Sequence, residues 1–483
     1  MGNSFTGIKG IKESNGISSV VLLQYIYVVA SIIAISWLVK TFELLAPVAI
    51  LSIAFGAVYI LKIVQNIRWG FYLLMAANFL SVGLTRYIDL PLGLFIDIIL
   101  IAIFFIYFLK QFKDISFSQL KNPVFILVVT WMGFNFLQIV NPEARSFEAW
   151  FYAMRGVALY FILTLLVGYL CINHKSDFNW FITMWFLFSI AGALWGIKQL
   201  YIGLDEGEKA WLSVPGNSTT HLLFGRLRVF SFYSDAGQFG ASQAHTALVA
   251  TILSISEKGT LKRIFFIVTA LLCFYGMLIS GTRGAFAIPV IGTFTYLLLI
   301  RKFKVIAAGT IIMAVIIFIL KFTFIGQGNY QIQRLRSSLN PQDASFQVRL
   351  DNQKRLATYL NTHLLGGGVG SGGYWGQRFS PGTFLANLAL DSWYVRIAAE
   401  YGYIGLVFYL TMMIVIVFYS LKQIKSGEEE DIRNQKIALL CGICGVLVAS
   451  YANQVFGQMP TGVLMYLSIV FLTEKSSSIN SVK

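Results

Sequence analysis

One stretch in the second half of this chain combines arginines with a cluster of glycines, residue types that can bind an anion. Residues 349–376 read RLDNQKRLATYLNTHLLGGGVGSGGYWG, a run with helix-like alternation that ends in a cluster of glycines. An arginine fork binds phosphate or carboxylate oxygens in pairs, and glycine lets backbone approach a ligand closely. The stretch therefore raises the question of whether it meets an anion.

One interpretation of the glycines is a dinucleotide site, because Gly368, Gly370 and Gly373 fall into a GxGxxG pattern. That motif needs a strand before the glycines and a helix that opens from them. Here the helical run comes first and a loop rich in Trp, Gly and Pro follows. The pattern therefore predicts no dinucleotide site, and the glycines serve either packing or ligand approach.

The run before the glycines predicts an amphipathic helix near 345–365 with an arginine on its apolar side. At 100° per residue, one stripe contains Leu350, Leu356, Ala357, Leu360 and Leu364. The opposite face contains Asp351, Lys354, Arg355, Thr358 and Thr362. Arg349 falls inside the apolar stripe, so it needs a partner there, either an anionic ligand or an acid from a neighbouring element. Arg355 on the polar face is satisfied by water.

The composition places these residues in a membrane protein. The chain has 483 residues, of which 57% are hydrophobic and 12% charged, and its mean hydropathy is +0.71. We predict an all-α polytopic fold with about 12–14 transmembrane helices, since an apolar run of roughly 20 residues crosses a bilayer. The predicted runs are 19–39, 44–61, 69–85, 90–109, 123–140, 150–172, 178–201, 236–256, 264–280, 284–300, 303–325, 392–420, 436–456 and 459–473.

Lys and Arg in the short loops predict the orientation. With both termini cytoplasmic, the loops rich in these residues fall on the cytoplasmic side, as the positive-inside tendency requires. Two long connections, 202–235 and 326–391, then lie outside together with the short turn at 280–284. Residues 1–483 are predicted to form a single integral membrane domain, because no repeat or linker divides them.

Four cations lie inside predicted spans, where charge is costly. They are Arg155, Lys198, Lys321 and Arg396. All four fall near the outer ends of their helices, so each either reaches the headgroups or helps to hold an anionic ligand at that face. Cys441 and Cys444 form a CxxC within an apolar run that has no second pair or histidine nearby, and Cys171 and Cys273 lie in apolar helices, so we expect no metal site.

Four motifs in order resemble the bacterial O-antigen ligase and polymerase superfamily. They are Arg228–Asp235 (RVFSFYSD), Ser280–Gly284 (SGTRG), Arg349 followed by Gly366–Gly372 (GGGVGSG), and Asp391–Tyr394 (DSWY) followed by Glu400–Gly405 (EYGYIG). The resemblance covers about residues 220–410. It implies a GT-C-like or O-antigen ligase-like membrane fold.

The resemblance also implies an activity. Such enzymes transfer a glycan from undecaprenyl pyrophosphate to an acceptor hydroxyl, without a metal or cofactor, at the periplasmic face of the bacterial cytoplasmic (inner) membrane. The implied partners are lipid-linked oligosaccharide donor and acceptor and membrane lipids, with a chain-length regulator and a flippase as further candidates. Nucleic acid is not among them.

Several residues are candidates for this chemistry. A pyrophosphate leaving group needs fixed cations, for which the resemblance offers Arg228, Arg283 and Arg349, with Asp391 as the general base. Further candidates for binding pyrophosphate or glycan are Arg155, Arg226, Arg396, His221, Tyr374 and Trp375. Tyr374 and Trp375 either stack on sugar rings or anchor their loop at the membrane interface.

One departure from the family pattern separates the possible activities. Ligases that attach O-antigen to lipid A core carry His followed by Asn where this chain has Asp391 and Ser392. Asp391 either acts as the base or caps the next helix, and His221 is the alternative base. The acid favours polymerisation of repeat units into O-antigen, capsule or exopolysaccharide over ligation to a lipid or protein. A lipid-linked oligosaccharide flippase is a further alternative, although the chain shows no two similar halves.

Overall fold

The computed structural model describes a helical protein. It covers residues 45–474 apart from gaps at 89, 114–116, 215–216, 218–220, 224, 301–306, 308–310, 312–313, 316–317, 320, 327, 329, 338–341, 343 and 425–428. The contacts divide the chain into two units, Met1–Trp69 and Gly70–Lys483. In the first, the described residues form α1 (Leu45–Gln65) and the start of α2 (Arg68–Leu84).

The second unit contains the remaining elements. Its longer helices are α3 (Leu94–Lys110), α4 (Pro123–Leu137), α5 (Phe147–Met154), α6 (Tyr160–Cys171), α7 (His174–Tyr201), α9 (Ala236–Ser256), α10 (Thr260–Ile279), α11 (Ala287–Ile300), α16 (Trp393–Gln423), α17 (Glu430–Ala449) and α18 (Thr461–Thr473). The connections contain α8 (Glu206–Ser213), β1 (Leu222–Leu223), β2 (Arg226–Leu227), α12 (Tyr330–Ser337), α13 (Ala344–Leu360), α14 (Gly373–Phe379) and α15 (Phe384–Asn387). Short 3₁₀ turns occupy Phe117–Leu120, Gln138–Val140 and Arg283–Phe286, and a π-helical turn, Arg155–Leu159, joins α5 to α6.

The predicted membrane architecture is confirmed as all-α and polytopic. Seven helical segments among the described residues are long and apolar enough to cross a membrane: Pro123–Val140, Phe147–Cys171, Ser176–Tyr201, Thr260–Ile279, Arg283–Ile300, Trp393–Gln423 and Glu430–Ala449. Helices α1, α2, α3, α9 and α18 coincide with the predicted runs 44–61, 69–85, 90–109, 236–256 and 459–473. The run 19–39 and most of 303–325 lie outside the described residues.

The core lies around α9 and α18. Every residue of α18 is buried, and α9 is buried on nearly all sides and rich in Gly, Ala and Ser. A helix that is buried all round lies inside a bundle, and small residues let its neighbours approach. α9 packs against α10, α11 and α17, and α18 packs against α6 and α16.

The predicted amphipathic helix is α13, and it is shorter than expected. Leu356 and Leu360 are buried against Leu385, Leu388, Leu390, Ala398 and Ala399. Arg355 is exposed, as predicted. Placing Leu364 in the apolar stripe is wrong, because the helix ends at Leu360 and Leu364 is 59% exposed.

The predicted run 436–456 is also displaced. α17 begins at Glu430 and ends at Ala449, and residues 450–460 then form a non-helical segment that leads into α18. Val455, Phe456 and Gly457 in this segment are buried. We call residues 450–460 the α17–α18 segment.

Candidate active site

Arg349 and Asp391 form an ion pair between the long 326–391 connection and the start of α16. Arg349 Nε lies 3.3 Å from Asp391 Oδ2, and the two side chains are 31% and 50% exposed. Arg349 is expected to need either an anionic ligand or an acid from a neighbouring element. Asp391 is such an acid. The half-exposed carboxylate remains accessible to a substrate.

The idea that Asp391 caps α16 is wrong. The cap is Ser392, whose side chain accepts a hydrogen bond from Val395 N. This leaves the Asp391 carboxylate to Arg349. The backbone beside it is held by Gln454, which donates its side-chain amide to Leu390 O, and by Ser450 O, which accepts from Trp393 N at 3.0 Å.

The SGTRG turn brings two other candidate arginines together. Arg228 donates to Thr282 Oγ1 at 3.1 Å, and Thr282 Oγ1 in turn donates to Ala236 O at 2.7 Å. Arg283 donates to Ser337 Oγ at 3.1 Å. A third cation, Arg334, donates to Gly281 O at 3.2 Å. The turn that carries Arg283 is therefore contacted by arginines from two other parts of the chain, Arg228 and Arg334.

The segment that carries Arg228 is fixed from neighbouring helices. Gln199 in α7 accepts hydrogen bonds from Phe230 N and Ser231 N at 3.2 and 2.7 Å. Arg86 donates to Ser231 O at 2.5 Å and to Tyr233 O. Backbone fixed in this way can hold Arg228 in one place before a substrate arrives.

The α17–α18 segment connects the SGTRG turn with the Arg349–Asp391 pair. A Cβ on Gly284 would overlap Asn453 Nδ2, so the turn packs directly on Asn453. The next residue, Gln454, contacts Leu390 O and accepts from Arg396 at 3.4 Å. The candidate arginines and the candidate base therefore border one structural segment.

Asn453 and Gln454 border the candidate site and are not among the residues predicted from the sequence. Both fall at the end of the predicted apolar run 436–456. The cluster of polar residues and glycine there, Ser450, Asn453, Gln454, Gly457 and Gln458, is the available signal that the span ends earlier. Asn453 Nδ2 is buried and has no hydrogen-bond partner among the described residues.

The in-span cations mostly have carboxylate partners. Arg396 Nε lies 3.1 Å from Glu400 Oε1, and Glu400 is fully buried. Lys198 lies 3.1 Å from both Asp205 and Glu208. Lys321 is exposed and lies over the Phe322 ring at 5.5 Å.

Arg155 is the most enclosed of these cations. Its Nε lies 2.6 Å from Asp97 Oδ2 of α3, and its other donors reach Gly93 O at 2.8 Å and Tyr160 Oη at 2.6 Å. These contacts bind the π-helical turn to α3. The arrangement favours a structural role for Arg155 over phosphate binding.

His221 lies in a hydrophobic environment beside the β-hairpin. Its ring packs edge-on against Trp211 and Phe230, with centroids 5.1 and 5.0 Å apart, and its Nδ1 lies 2.7 Å from Asn217 O. Burial lowers the pKa of His221 because it disfavours the charged imidazolium. Arg226, on the hairpin, is exposed.

The two candidate aromatic residues differ. Trp375 stacks on Tyr152 at 4.7 Å and lies beside Phe379 at 6.1 Å, so it anchors α14 to α5. Tyr374 is 64% exposed and accepts a hydrogen bond from Arg378 at 3.2 Å. Of the pair, Tyr374 has the surface left for a ligand.

The glycines that follow α13 pack closely against the backbone of other elements. On the α16 side of this contact, Gly402 has φ +69°, and a Cβ there would overlap Leu364 O. Gly366 meets Gly402 N and Ala399 O in the same way, and Gly370 packs on Ala149 O. The glycines thus join the loop to α16 and α5. The element that precedes them is the helix α13 and not a strand, as the sequence predicted, so the GxGxxG pattern does not have the structural context of a dinucleotide site.

Comparison with known proteins supports the resemblance. Residues 268–410 match the model of a family described as O-antigen ligase. A search of curated proteins finds no match. The matched region contains Arg283, Arg349, Asp391 and Arg396, whereas Arg228 and the α17–α18 segment lie outside it.

Members of this family are glycosyltransferase-like membrane enzymes that use lipid-linked glycans. The predicted resemblance is therefore confirmed at the level of the superfamily. Over residues 268–410, this polytopic membrane protein therefore resembles the O-antigen ligase/polymerase superfamily.

Proposed function

We propose that the protein polymerises undecaprenyl-pyrophosphate-linked oligosaccharide repeat units into a surface polysaccharide. The reaction takes place at the outer face of the bacterial cytoplasmic membrane and needs no metal ion. The observation that carries the proposal is the Arg349–Asp391 pair, 3.3 Å apart and partly exposed, beside a segment that also contacts the SGTRG turn. A base and several fixed cations are the groups that this transfer requires.

The proposed step forms one bond and breaks another. The acceptor hydroxyl oxygen attacks the anomeric carbon of the donor sugar, and a glycosidic C–O bond forms while the bond from that carbon to the pyrophosphate oxygen breaks. The hydroxyl proton passes to the Asp391 carboxylate. Undecaprenyl pyrophosphate leaves with the bonding electrons, and Arg349 stabilises its added charge, assisted by Arg228 and Arg283.

The ion pair has a specific consequence for this step. While Asp391 is ionised, Arg349 has a carboxylate partner; as Asp391 takes the proton, that partner becomes neutral. The guanidinium is then left to interact with the pyrophosphate at the moment when its charge increases. Proton transfer and stabilisation of the leaving group are thereby coupled in one pair of side chains.

The test uses purified protein in nanodiscs with lipid-pyrophosphate-linked repeat units, in the presence of EDTA. Products are resolved by gel and mass spectrometry, and Arg349→Ala is compared with Arg355→Ala, an exposed arginine on the same helix. A ladder of multiples that Arg355→Ala retains and Arg349→Ala loses supports the proposal. No ladder with competent substrate, or a ladder unaffected by Arg349→Ala, contradicts it.

Ligation is the second candidate, because the matched family is described as O-antigen ligase. The same preparation is given an added lipid or protein acceptor. Transfer of a single glycan to that acceptor, without a ladder, would assign the protein as a ligase. Failure of both reactions would favour movement of the lipid-linked oligosaccharide across the membrane.

A further inference from the structure

A cavity of about 520 Å³ lies beside α13, at the opposite end of that helix from Arg349. Its lining includes Glu143, Arg145, Tyr359, His363, Ser371 and Phe384. Its size is within the range of about 300–1,000 Å³ that small-molecule sites occupy. The lining combines polar groups with aromatic rings.

The cavity is built on rigid supports. Asn141 donates its amide to Leu365 O and Gly366 O at 3.1 and 3.3 Å, which ties the loop that carries Glu143 and Arg145 to the glycine-rich loop. Gly367 N donates to Ala399 O at 2.9 Å. Both sides of the cavity are therefore fixed to α16.

One wall is a stack of three rings. His363 lies on Tyr359 at 4.1 Å, and Tyr359 lies on Phe384 at 5.2 Å. Phe384 is 43% exposed, so part of its ring surface is left for another group. An exposed aromatic ring in a polar cavity suits the apolar face of a sugar.

Polar groups of the lining are available for hydroxyls. Ser371 Oγ is buried and has no hydrogen-bond partner among the described residues. Arg145 is exposed, and the described residues offer it no hydrogen bond or ion pair. Glu143 Oε1 lies 3.6 Å from His363 Nε2 and has a second oxygen to accept from a ligand. A buried hydroxyl without a partner costs free energy unless a ligand or water satisfies it.

We propose that this cavity is a carbohydrate subsite. It holds sugars of the lipid-linked glycan that are several sugar units away from the reacting bond. This inference rests on the proposed glycan transfer. Arg349 and Tyr359 lie on one helix, ten residues or roughly 15 Å apart along its axis and about 80° apart around it. The leucines of α13 pack against Leu385 and Leu390, so one apolar cluster fixes both the Arg349–Asp391 pair and the cavity.

Two physical consequences follow from this geometry. A subsite away from the reacting bond contributes binding that is equal in the ground and transition states, so its loss raises KM and leaves kcat unchanged. It also requires a glycan long enough to reach it. A truncated substrate with only its reducing-end sugar cannot use the cavity.

The direct test is binding of free oligosaccharide to the protein in nanodiscs. The probe is the set of oligosaccharides released by partial hydrolysis from the surface polysaccharide of the source bacterium, followed by saturation-transfer NMR. The variants are Phe384→Ala and Arg145→Ala, and the control is Arg355→Ala, which does not line the cavity. Arg145 is exposed and makes no hydrogen bond or ion pair with the described residues, so its replacement leaves folding intact.

We expect about tenfold weaker binding in both cavity variants, which corresponds to about 1.4 kcal/mol, and unchanged binding in Arg355→Ala. We also expect Arg349→Ala to bind the free oligosaccharide normally, which separates this inference from the transfer reaction. Equal binding in wild type and both cavity variants would overturn the subsite even where polymerisation is observed. Displacement of the probe by glycerol phosphate would also overturn it, by indicating a lipid headgroup site.

Kinetics give a second measurement. With full-length repeat units, Phe384→Ala and Arg145→Ala raise KM about tenfold at constant kcat, and with the truncated lipid-linked sugar they match wild type. Equal effects on both substrates would overturn the proposal, because a general structural defect lowers activity regardless of glycan length.

Discussion

Arg349 and Asp391 lie 42 residues apart in the chain, and their side chains meet at 3.3 Å. The arginine is on the amphipathic helix α13 and the acid directly precedes the cap of α16. A partly exposed pair of this kind contributes only about 0–1 kcal/mol to stability. Its position has two explanations: chemistry at a substrate, as proposed above, or a small contribution to the stability of the fold.

Replacing either member of the pair separates these two explanations. We expect Asp391→Asn to lower kcat about 10²–10⁴-fold, the usual contribution of a general base, while the melting temperature shifts little. Arg349→Lys keeps the charge but loses the planar fork, so a partial loss is expected. The measurement is the initial rate of ladder formation beside differential scanning fluorimetry. A large loss of thermal stability with normal kcat would instead show a structural pair.

Gln454 is expected to act as a positioning residue for Asp391. Its amide donates to Leu390 O and its carbonyl oxygen accepts from Arg396. Gln454→Ala should lower kcat about tenfold by freeing the backbone beside Asp391, because small displacements of catalytic groups are costly. The matched control is Gln458→Ala in the same segment, which should retain the wild-type rate. Equal effects of the two substitutions would argue against this role.

The contact between Gly402 and the glycine-rich loop predicts a stability effect. Gly402 has φ +69°, and an added Cβ would overlap Leu364 O. Gly402→Ala is therefore expected to destabilise the protein strongly, by more than about 3 kcal/mol, or to prevent its accumulation. Yield and fluorescence-detected size exclusion measure this.

A glycine in open space serves as the control. Gly133, in α4, has no heavy atom of another described element within 4 Å of the place that an added Cβ would occupy, so Gly133→Ala should fold as well as wild type. If both glycine variants behave alike, close packing at Gly402 is not the cause.

The buried pair Asp97–Arg155 predicts a different stability effect. Asp97→Asn leaves the Arg155 charge without a carboxylate in an enclosed place, at a cost of roughly 3–5 kcal/mol. The double replacement Asp97→Leu with Arg155→Met removes both charges and should recover much of the stability. Melting temperatures of the single and double variants measure the loss of stability and its recovery. If the double variant is stable but its KM for the lipid-linked donor is raised, Arg155 belongs to the substrate site.

The SGTRG turn predicts inhibition by a product analogue. Inorganic pyrophosphate should compete with the lipid-linked donor, since Arg283 lies in this turn and Arg228 and Arg334 contact it. Arg283→Ala is expected to raise the inhibition constant about tenfold, which equals the loss of about 1.4 kcal/mol of binding. Arg378→Ala, an exposed arginine beside Tyr374, should leave it unchanged. Noncompetitive inhibition would place the anion elsewhere.

Much of the helical frame can be predicted from the sequence, because the length and hydropathy of a run are local properties. The predicted run 236–256 coincides with α9, and 284–300 nearly coincides with the 3₁₀ turn and α11. The predicted end of α17 is wrong because Val455 and Phe456 are apolar in sequence yet lie in a non-helical segment. Burial by surrounding helices, rather than helix formation, accounts for their hydrophobicity.

In the candidate site, too, some features can be predicted from the sequence and others depend on the tertiary structure. The sequence by itself determined that the chain is a polytopic helical membrane protein, that α13 is amphipathic, and that Arg349 needs a partner on its apolar side. Only the tertiary structure decided that this partner is Asp391, that Ser392 supplies the helix cap, and that Asn453 and Gln454 border the same site. The physical reason is that hydrophobic periodicity acts over a few turns of one helix, whereas an ion pair between residues 42 positions apart depends on how the helices pack.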